Sequence, residues 1–206
     1  MALDFVIIGG GPAGTQAATV AARLGARVTV IERDVVGGAA HLWDCVPSKA
    51  MIAAGAAFGD IGDAHSMGVQ TTGTALDLDA LREHIAGIVG RLESSGRRLL
   101  ESQHVRIIQG SGRVAGPNSV IADTANGPIE LHADAILVST GSRPRVPDFA
   151  KPDGDRILTT RDAYPPRELP EHLIVIGSGP AGRRAAVQAA KLKKSVLVIE
   201  RGRRVG

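Results

Sequence analysis

Apolar and polar positions follow one succession that the chain uses twice. Asp4 to Ile8 is a short apolar strand that enters a glycine-rich turn, Gly9-Gly10-Gly11-Pro12-Ala13-Gly14. An alanine-rich helix follows, and Arg27 to Ile31 is a second apolar strand that ends at Glu32 and Arg33. Residues 5–33 and 173–201 align without a gap and are identical at more than half of their positions. Residues 171–206 therefore repeat the strand, the turn Gly177-Ser178-Gly179-Pro180-Ala181-Gly182, the helix and a strand ending at Glu200.

Between the copies the pattern changes. After Gly37-Gly38 and a connection, a helix begins near Cys45-Val46-Pro47-Ser48-Lys49 and runs to about Phe58, with Pro47 suited to a first turn. Residues 59–76 are rich in Gly and Thr without a period and read as loop. From Leu78 to about Ser102 the apolar positions Leu78, Leu81, Ile85, Ile88, Val89, Leu92, Leu99 and Leu100 keep helical spacing despite Gly87, Gly90 and Gly96. Short β segments are expected at Val105–Gln109, Gly112–Ala115, Ser119–Ala122, Ile129–His132 and Ala135–Ser139, separated by turns such as Gly116-Pro117-Asn118 and Asn126-Gly127-Pro128. This order predicts an α/β, Rossmann-like fold: parallel strands of a main sheet with an antiparallel β-meander inserted, then the start of a second βαβ. Residues 143–170, rich in Pro and charge, connect the two.

Each glycine turn has the spacing that pyrophosphate binding requires. The first glycine permits the tight turn, the second lets the backbone approach phosphates, and the third lets the helix pack closely on the strand. The helix N-terminus then faces the anion with unpaired N–H groups and a positive dipole end. Glu32, at the end of the second strand, is placed to accept hydrogen bonds from the hydroxyls of an adenosine ribose. Strand, turn, helix, strand and acid in this order imply a dinucleotide ligand. The bland alternative is a plain βαβ unit with a glycine turn.

Composition removes other classes. The 44% hydrophobic content is that of a globular chain, and 206 residues hold one full domain and part of another. The net charge is +3, but the basic excess gathers late, in Lys191, Lys193, Lys194, Arg201, Arg203 and Arg204. With only 2% aromatic residues, the chain lacks the stacking side chains of a nucleic-acid surface, so these charges read as a solvated helix end and terminus. A single cysteine excludes an internal disulfide framework, and the histidines His65, His84, His104, His132 and His172 are too scattered for a metal site. Met1-Ala2-Leu3-Asp4 leads directly into the first strand, and no apolar stretch approaches the roughly 20 residues of a membrane span. The expectation is a cytoplasmic chain with no signal peptide and no membrane anchor.

At Gly37-Gly38-Ala39-Ala40-His41-Leu42-Trp43-Asp44-Cys45-Val46-Pro47-Ser48-Lys49 the chain resembles the flavoprotein disulfide reductases, the group of dihydrolipoamide dehydrogenase, glutathione reductase and mercuric reductase. Their pattern here is Gly-Gly-Thr-Cys-x4-Cys-hydrophobic-Pro-Ser-Lys. The N-terminal fingerprint, the Thr140-Gly141-Ser142 turn and the Leu-Pro-Glu lead into the second fingerprint extend the resemblance over nearly the whole chain. It implies FAD, with NAD(P)H as co-substrate. The residues implied for binding are Gly9, Gly11, Pro12, Ala13, Gly14, Glu32, Arg33, Gly38, Ala39, Lys49, Thr140 and Gly141, with Gly177, Gly179, Gly182 and Glu200 in the second copy. Cys45 and Lys49, four apart and on one helix face, are the implied catalytic pair: Cys45 touching the flavin ring and Lys49 approaching its N5.

Two departures shape the expected activity. The family's first redox cysteine falls on Ala40, and a disulfide needs a second sulfur with Cα atoms within about 7 Å, so dithiol catalysis is not expected. The variant is similar to a branch of the family that passes electrons from NAD(P)H through FAD to quinones. Cys45 is open to two readings: a flavin-contacting thiolate favoured by the helix start and Lys49 but opposed by Asp44, or an inert small buried residue. His41 reads as a satisfied loop histidine and Trp43 as a packing residue. In the second copy, Arg184 stands where the reductases usually carry a Glu that pairs with the lysine beside the flavin, which reverses the charge there. That segment resembles the FAD fingerprint of soluble pyridine nucleotide transhydrogenases, as a join between two related genes would produce.

The resulting expectation is an FAD-binding domain at 1–148, a linker at 149–170 and an incomplete second dinucleotide-binding unit at 171–206, too short for the further strands of a complete fold. The strand segment completing the family's FAD sheet, and the interface domain through which the family forms homodimers, are expected to be absent from these 206 residues. The expected function is that of an FAD-dependent oxidoreductase passing electrons from NAD(P)H through flavin to a small, quinone-like acceptor without a dithiol. The rival is a truncated or fused dinucleotide-binding fragment with no turnover of its own.

Overall fold

The computed structural model of the protein describes residues 2–164, 166–191 and 194–202. Contacts divide the chain into two compact units, Met1–Ala54 with Asp77–Pro165, and Gly55–Leu76 with Pro166–Gly206.

The first unit is built on the strands Asp4–Ile8 (β1) and Arg27–Glu32 (β2), joined by the helix Pro12–Arg23 (α1). A short helix at Gly38–Leu42 (α2) precedes Cys45–Asp63 (α3), whose residues through Ala54 belong to this unit. Then come the long helix Leu78–Ser102 (α4), the strand Arg106–Gln109 (β3), the three strands Ser111–Gly116, Ser119–Thr124 and Gly127–His132 (β4, β5, β6), and Ala135–Val138 (β7). The main sheet has the order β3-β2-β1-β7 with every pair parallel, and β4-β5-β6 is a separate antiparallel sheet. The expected architecture, parallel sheet with inserted meander, is what forms.

A parallel sheet is covered on both faces, so its strands must be apolar at successive positions. On one face of β1 and β2, Val6, Ile8 and Ile31 pack with Ile108 and with Val120, Ala122 and Ala133 around the meander. On the other, Ile7, Val28 and Val30 pack with Ala18 of α1 and with Val36, Leu100 and Val105. Full burial of a side chain such as Ile7 or Val30 contributes about 1.5–3 kcal/mol. The meander approaches closely because β4 carries Gly112, where a Cβ would lie 2.8 Å from Ile8 Cγ2.

The helices differ from expectation in two places. The segment 59–76 is not loop throughout: α3 runs past Phe58 to Asp63 and continues as a 3-10 turn at Ala64–Met67. Each glycine in a helix costs only about 1 kcal/mol, which Gly59 and Gly62 do not make prohibitive. The stop comes at Gly68 (φ 81), where Gly68 and Val69 donate back to the carbonyls of His65 and Ala64. The connection after Gly37 contains α2, too short to show a helical period. α4 matches its expected bounds, and its start is capped by the Asp77 carboxylate, which accepts the amides of Asp79 and Ala80 at 2.9 and 3.0 Å.

In the second unit His172–Ile176 (β8) and Ser195–Ile199 (β9) pair in parallel and are joined by Pro180–Lys191 (α5), the expected second βαβ. Its sheet is less covered than the first: Ile174 and Leu197 are more than half exposed. Of the late basic residues, Lys194 pairs with Glu171 at 2.7 Å, which holds that carboxyl below its usual range, and Arg201 is exposed. Lys193, Arg203, Arg204 and the side chain of Lys191 lie outside the described residues.

Candidate functional site

The first glycine turn sits at the C-terminal ends of β1, β2 and β7. Gly9 has φ 106, and its amide donates to the Ile31 carbonyl at 2.8 Å, which carries the chain off β1 across β2. A Cβ on Gly9 would run into the Ser139 carbonyl, and one on Gly14 would overlap the Gly9 carbonyl oxygen and meet Ser139 Oγ at 2.8 Å. Gly11 is different: a Cβ there meets nothing within 4 Å. The first and third glycines serve close packing inside the protein, and the second faces open space. Gly11 is also the N-cap of α1, with Pro12 and Ala13 opening the helix and no side chain capping it, so its first amides remain available to an anion.

Glu32 is buried at the end of β2. Its Oε2 accepts the Gly10 amide at 2.6 Å and its Oε1 the Asp34 amide at 2.7 Å. An ionised carboxylate offers about four acceptor positions, so two remain for ribose hydroxyls. Arg33 is exposed, its guanidinium beside Asp34 at 3.4 Å, while its carbonyl and that of Asp34 accept from the Gln109 side chain at 2.7 and 2.9 Å.

Three further segments close on the turn. The Gly37 amide donates to the Gly10 carbonyl at 2.8 Å, and a Cβ on Gly38 would stand 3.0 Å from the Gly11 Cα, so the start of α2, with Gly38 and Ala39, lies directly against the fingerprint. Ser139, at the end of β7, donates its hydroxyl to the Gly9 carbonyl at 2.9 Å and places Thr140 and Gly141 (φ 69) immediately after this contact. Gln109 and Ser139 are site-building residues that sequence reasoning missed; a polar residue at the end of a predicted parallel strand is the only signal they give.

Cys45 and Lys49 both lie exposed on the first turns of α3, with Pro47 buried between them. The exposure of Cys45 removes the reading of it as a small buried residue. His41 lies in the short helix α2 and not in a loop as expected, but its Nδ1 is 3.2 Å from the Val36 carbonyl oxygen, so it has a partner. Trp43 does more than pack within its own loop, since the Arg161 guanidinium sits 4.1 Å from its ring centroid.

The second unit repeats the tie between glycine turn and strand-end acid, with one added bond from the Ser178 hydroxyl. Gly177 (φ 99) donates its amide to the Ile199 carbonyl at 2.8 Å, a Cβ on Gly182 would overlap the Gly177 carbonyl oxygen, and one on Gly179 meets nothing within 4 Å. Glu200 accepts the Gly202 amide at 2.8 Å on Oε1 and both the amide and hydroxyl of Ser178 on Oε2, at 2.8 and 2.5 Å. These bonds, the Ser178 hydroxyl foremost, draw the carboxyl down to about 2. Arg184 lies exposed on α5. Among the described residues no group of three or more His, Cys, Asp or Glu side chains could hold a metal ion, and no helix is long and apolar enough to cross a membrane.

Comparison with known proteins gives this geometry its family. Residues 3–206 match the pyridine nucleotide-disulphide oxidoreductase family. A dihydrolipoyl dehydrogenase from Chlorobaculum tepidum is 31% identical over 198 residues, covering 96% of this chain and 42% of its own length. An NAD(P)H dehydrogenase (quinone) from Mycobacterium tuberculosis is 36% identical over 211 residues, covering 97% of this chain and 43% of its own length. The solved structure of LpdA from Mycobacterium tuberculosis, also 36% identical, superposes with a TM-score of 0.88 over 98% of this chain and 46% of that one. The chain thus spans less than half the length of the relatives it matches. On the match over residues 3–206 and this likeness along nearly its whole length, the chain belongs to the pyridine nucleotide-disulphide oxidoreductase family.

Proposed function

We propose that the chain carries the flavin site of an oxidoreductase that takes electrons from NAD(P)H and delivers them to a small, quinone-like acceptor without a redox disulfide. The observation that carries this reading is the pairing of an intact FAD-type cradle with Ala40 at the family's first redox-cysteine position. Cys45 has no cysteine partner in the 206 residues. The M. tuberculosis relative described as an NAD(P)H dehydrogenase (quinone) supports the choice of acceptor.

FAD fits the first site on the protein's own geometry. Open space at Gly11 leaves room for a pyrophosphate against the uncapped start of α1, and Glu32 keeps acceptor capacity for ribose hydroxyls. Gly38, Ala39, Thr140 and Gly141 form the surrounding wall, with Arg33 at its rim. Bound FAD would supply the chemistry, accepting hydride from NAD(P)H and passing two electrons to the acceptor. The chain's part is to bind and orient it: Lys49 contributes a cation and Cys45 a soft side chain on one face of α3. Gly177, Gly179, Gly182 and Glu200 are the proposed seat of NAD(P)H, Glu200 remaining ionised to meet the adenosine ribose. A reducing, cytoplasmic setting accords with a single exposed thiol.

The test is the visible spectrum of the purified chain. Bound oxidised flavin that bleaches with NAD(P)H in the absence of oxygen and recovers on adding a benzoquinone supports the proposal. A chain that remains colourless after incubation with excess FAD refutes it.

A further inference from the structure

The start of α3 is held from outside its own segment. Residues 159–163 form a turn closed on itself: Thr159 Oγ1 donates to Asp162 Oδ2 at 2.9 Å, the amides of Asp162 and Ala163 donate to the Thr159 carbonyl at 3.0 and 3.1 Å, and the Arg161 amide donates to Thr159 Oγ1 at 3.2 Å. The Thr159 amide also donates to Asp162 Oδ2 at 3.3 Å, so that, much as in a capping box, the later acid satisfies the earlier backbone amide. The turn then meets the two residues immediately before α3. The Arg161 guanidinium stacks 4.1 Å from the Trp43 ring centroid, and Thr160 Oγ1 donates to Asp44 Oδ1 at 3.4 Å.

Trp43 and Asp44 are also held along the chain. Their amides donate to the Ala39 carbonyl at 3.0 and 2.9 Å, tying them back to α2, and the Asp44 carbonyl accepts the Ser48 amide and hydroxyl, opening α3. The pair is therefore the joint between α2, which rests on the glycine turn, and the helix that bears Cys45 and Lys49. Arginine suits the contact, because its planar, weakly hydrated guanidinium stacks on an indole face as a compact lysine ammonium does less well, although both supply the cation.

We propose that Arg161 is a positioning residue: stacked on Trp43, it fixes the turn that aims the first two turns of α3, and with them Cys45 and Lys49, at the flavin. This rests on the proposed flavin site, but its direct consequence, local order at residues 43–49, does not require bound flavin.

The test compares Arg161→Gln and Arg161→Lys with the parent chain by amide hydrogen exchange and by acrylamide quenching of tryptophan emission. Trp43 is the only tryptophan, so its emission reports this joint alone. Arg161→Gln should speed exchange across 43–49 and raise the quenching constant, by about two- to fivefold or more as expected for a half-buried cation–π contact, while β1 and α1 exchange as before. Arg161→Lys, which keeps the cation but stacks less well, should recover part of both and fall between Arg161→Gln and the parent. Parent values for both readouts in Arg161→Gln would overturn the proposal, as would a uniform rise that includes β1. Because neither readout needs flavin, a chain that binds no FAD would sink the proposed function and leave the role of Arg161 at the joint unaffected.

Discussion

The amide of Gly10 donates to Glu32 Oε2 at 2.6 Å, joining the middle of the glycine turn to the acid at the end of the next strand. With the Asp34 amide on the other oxygen, the acid is fixed before any ligand arrives. Glu32 thus has a structural duty separate from the proposed ribose binding. Replacing it with Ala leaves two amides without an acceptor, each at a cost of about 1–3 kcal/mol where buried. Urea denaturation of flavin-free Glu32→Ala should show at least one such loss in the first unit, where a residue serving only the ligand would show none.

Gly11 should behave in the opposite way. A Cβ there touches nothing, and its backbone is ordinary extended conformation (φ −71), so Gly11→Val leaves the fold intact. The new side chain would occupy the proposed phosphate approach, and crowding of this kind costs about 1–3 kcal/mol. Flavin retained after gel filtration should fall sharply while the denaturation midpoint holds. Gly14→Ala, whose Cβ overlaps the Gly9 carbonyl, should instead lower the midpoint itself.

In the second unit Glu200 makes stability depend on pH. Its carboxyl is drawn from 4.5 to about 2 in the folded state by Ser178 and Gly202. A depressed folded value contributes stability that is fully present above the unfolded value and lost as pH falls through the folded one. Exchange of the β8 and β9 amides, corrected for intrinsic pH dependence, should be steady above pH 4.5 and accelerate between there and about 2. Ser178→Ala removes the foremost cause, so the lower edge of this window should rise and the acceleration below pH 4.5 should shrink.

Much of this was legible in the sequence because the glycine turns encode it locally. Gly9 and Gly14 are required by close backbone packing, Gly11 faces open space, and Glu32 ties the turn, all within one short motif. The parts that escaped are long-range. Ser139 and Gln109 reach the site from strands more than 70 residues along the chain, and Arg161 reaches Trp43 from the connecting segment. No periodicity marks such a contact. The extension of α3 escaped for a different reason: the composition of 59–63 reads as loop, yet two glycines cost less than a well-started helix gains by continuing.

The two units should also differ in protection. Ile7 and Val30 are fully buried in the first sheet, whereas Ile174 and Leu197 in the second are 61% and 56% exposed. Amides of β8 and β9 should exchange faster than those of β1 and β2 near neutral pH, and added NAD(P)H should narrow the gap. Equal protection without ligand would mean that the second sheet is covered more fully than its exposed isoleucines and leucines indicate.

Acceptor choice separates electron delivery from flavin to quinone from delivery through a dithiol. Chain loaded with FAD is reduced with NAD(P)H under argon, then mixed in parallel with a benzoquinone and with lipoamide, and the return of the flavin's visible band is followed. Because Ala40 leaves Cys45 without a partner for thiol–disulfide exchange, the quinone should restore the band and lipoamide should not. Restoration by lipoamide that disappears in Cys45→Ala would contradict a dithiol-free route.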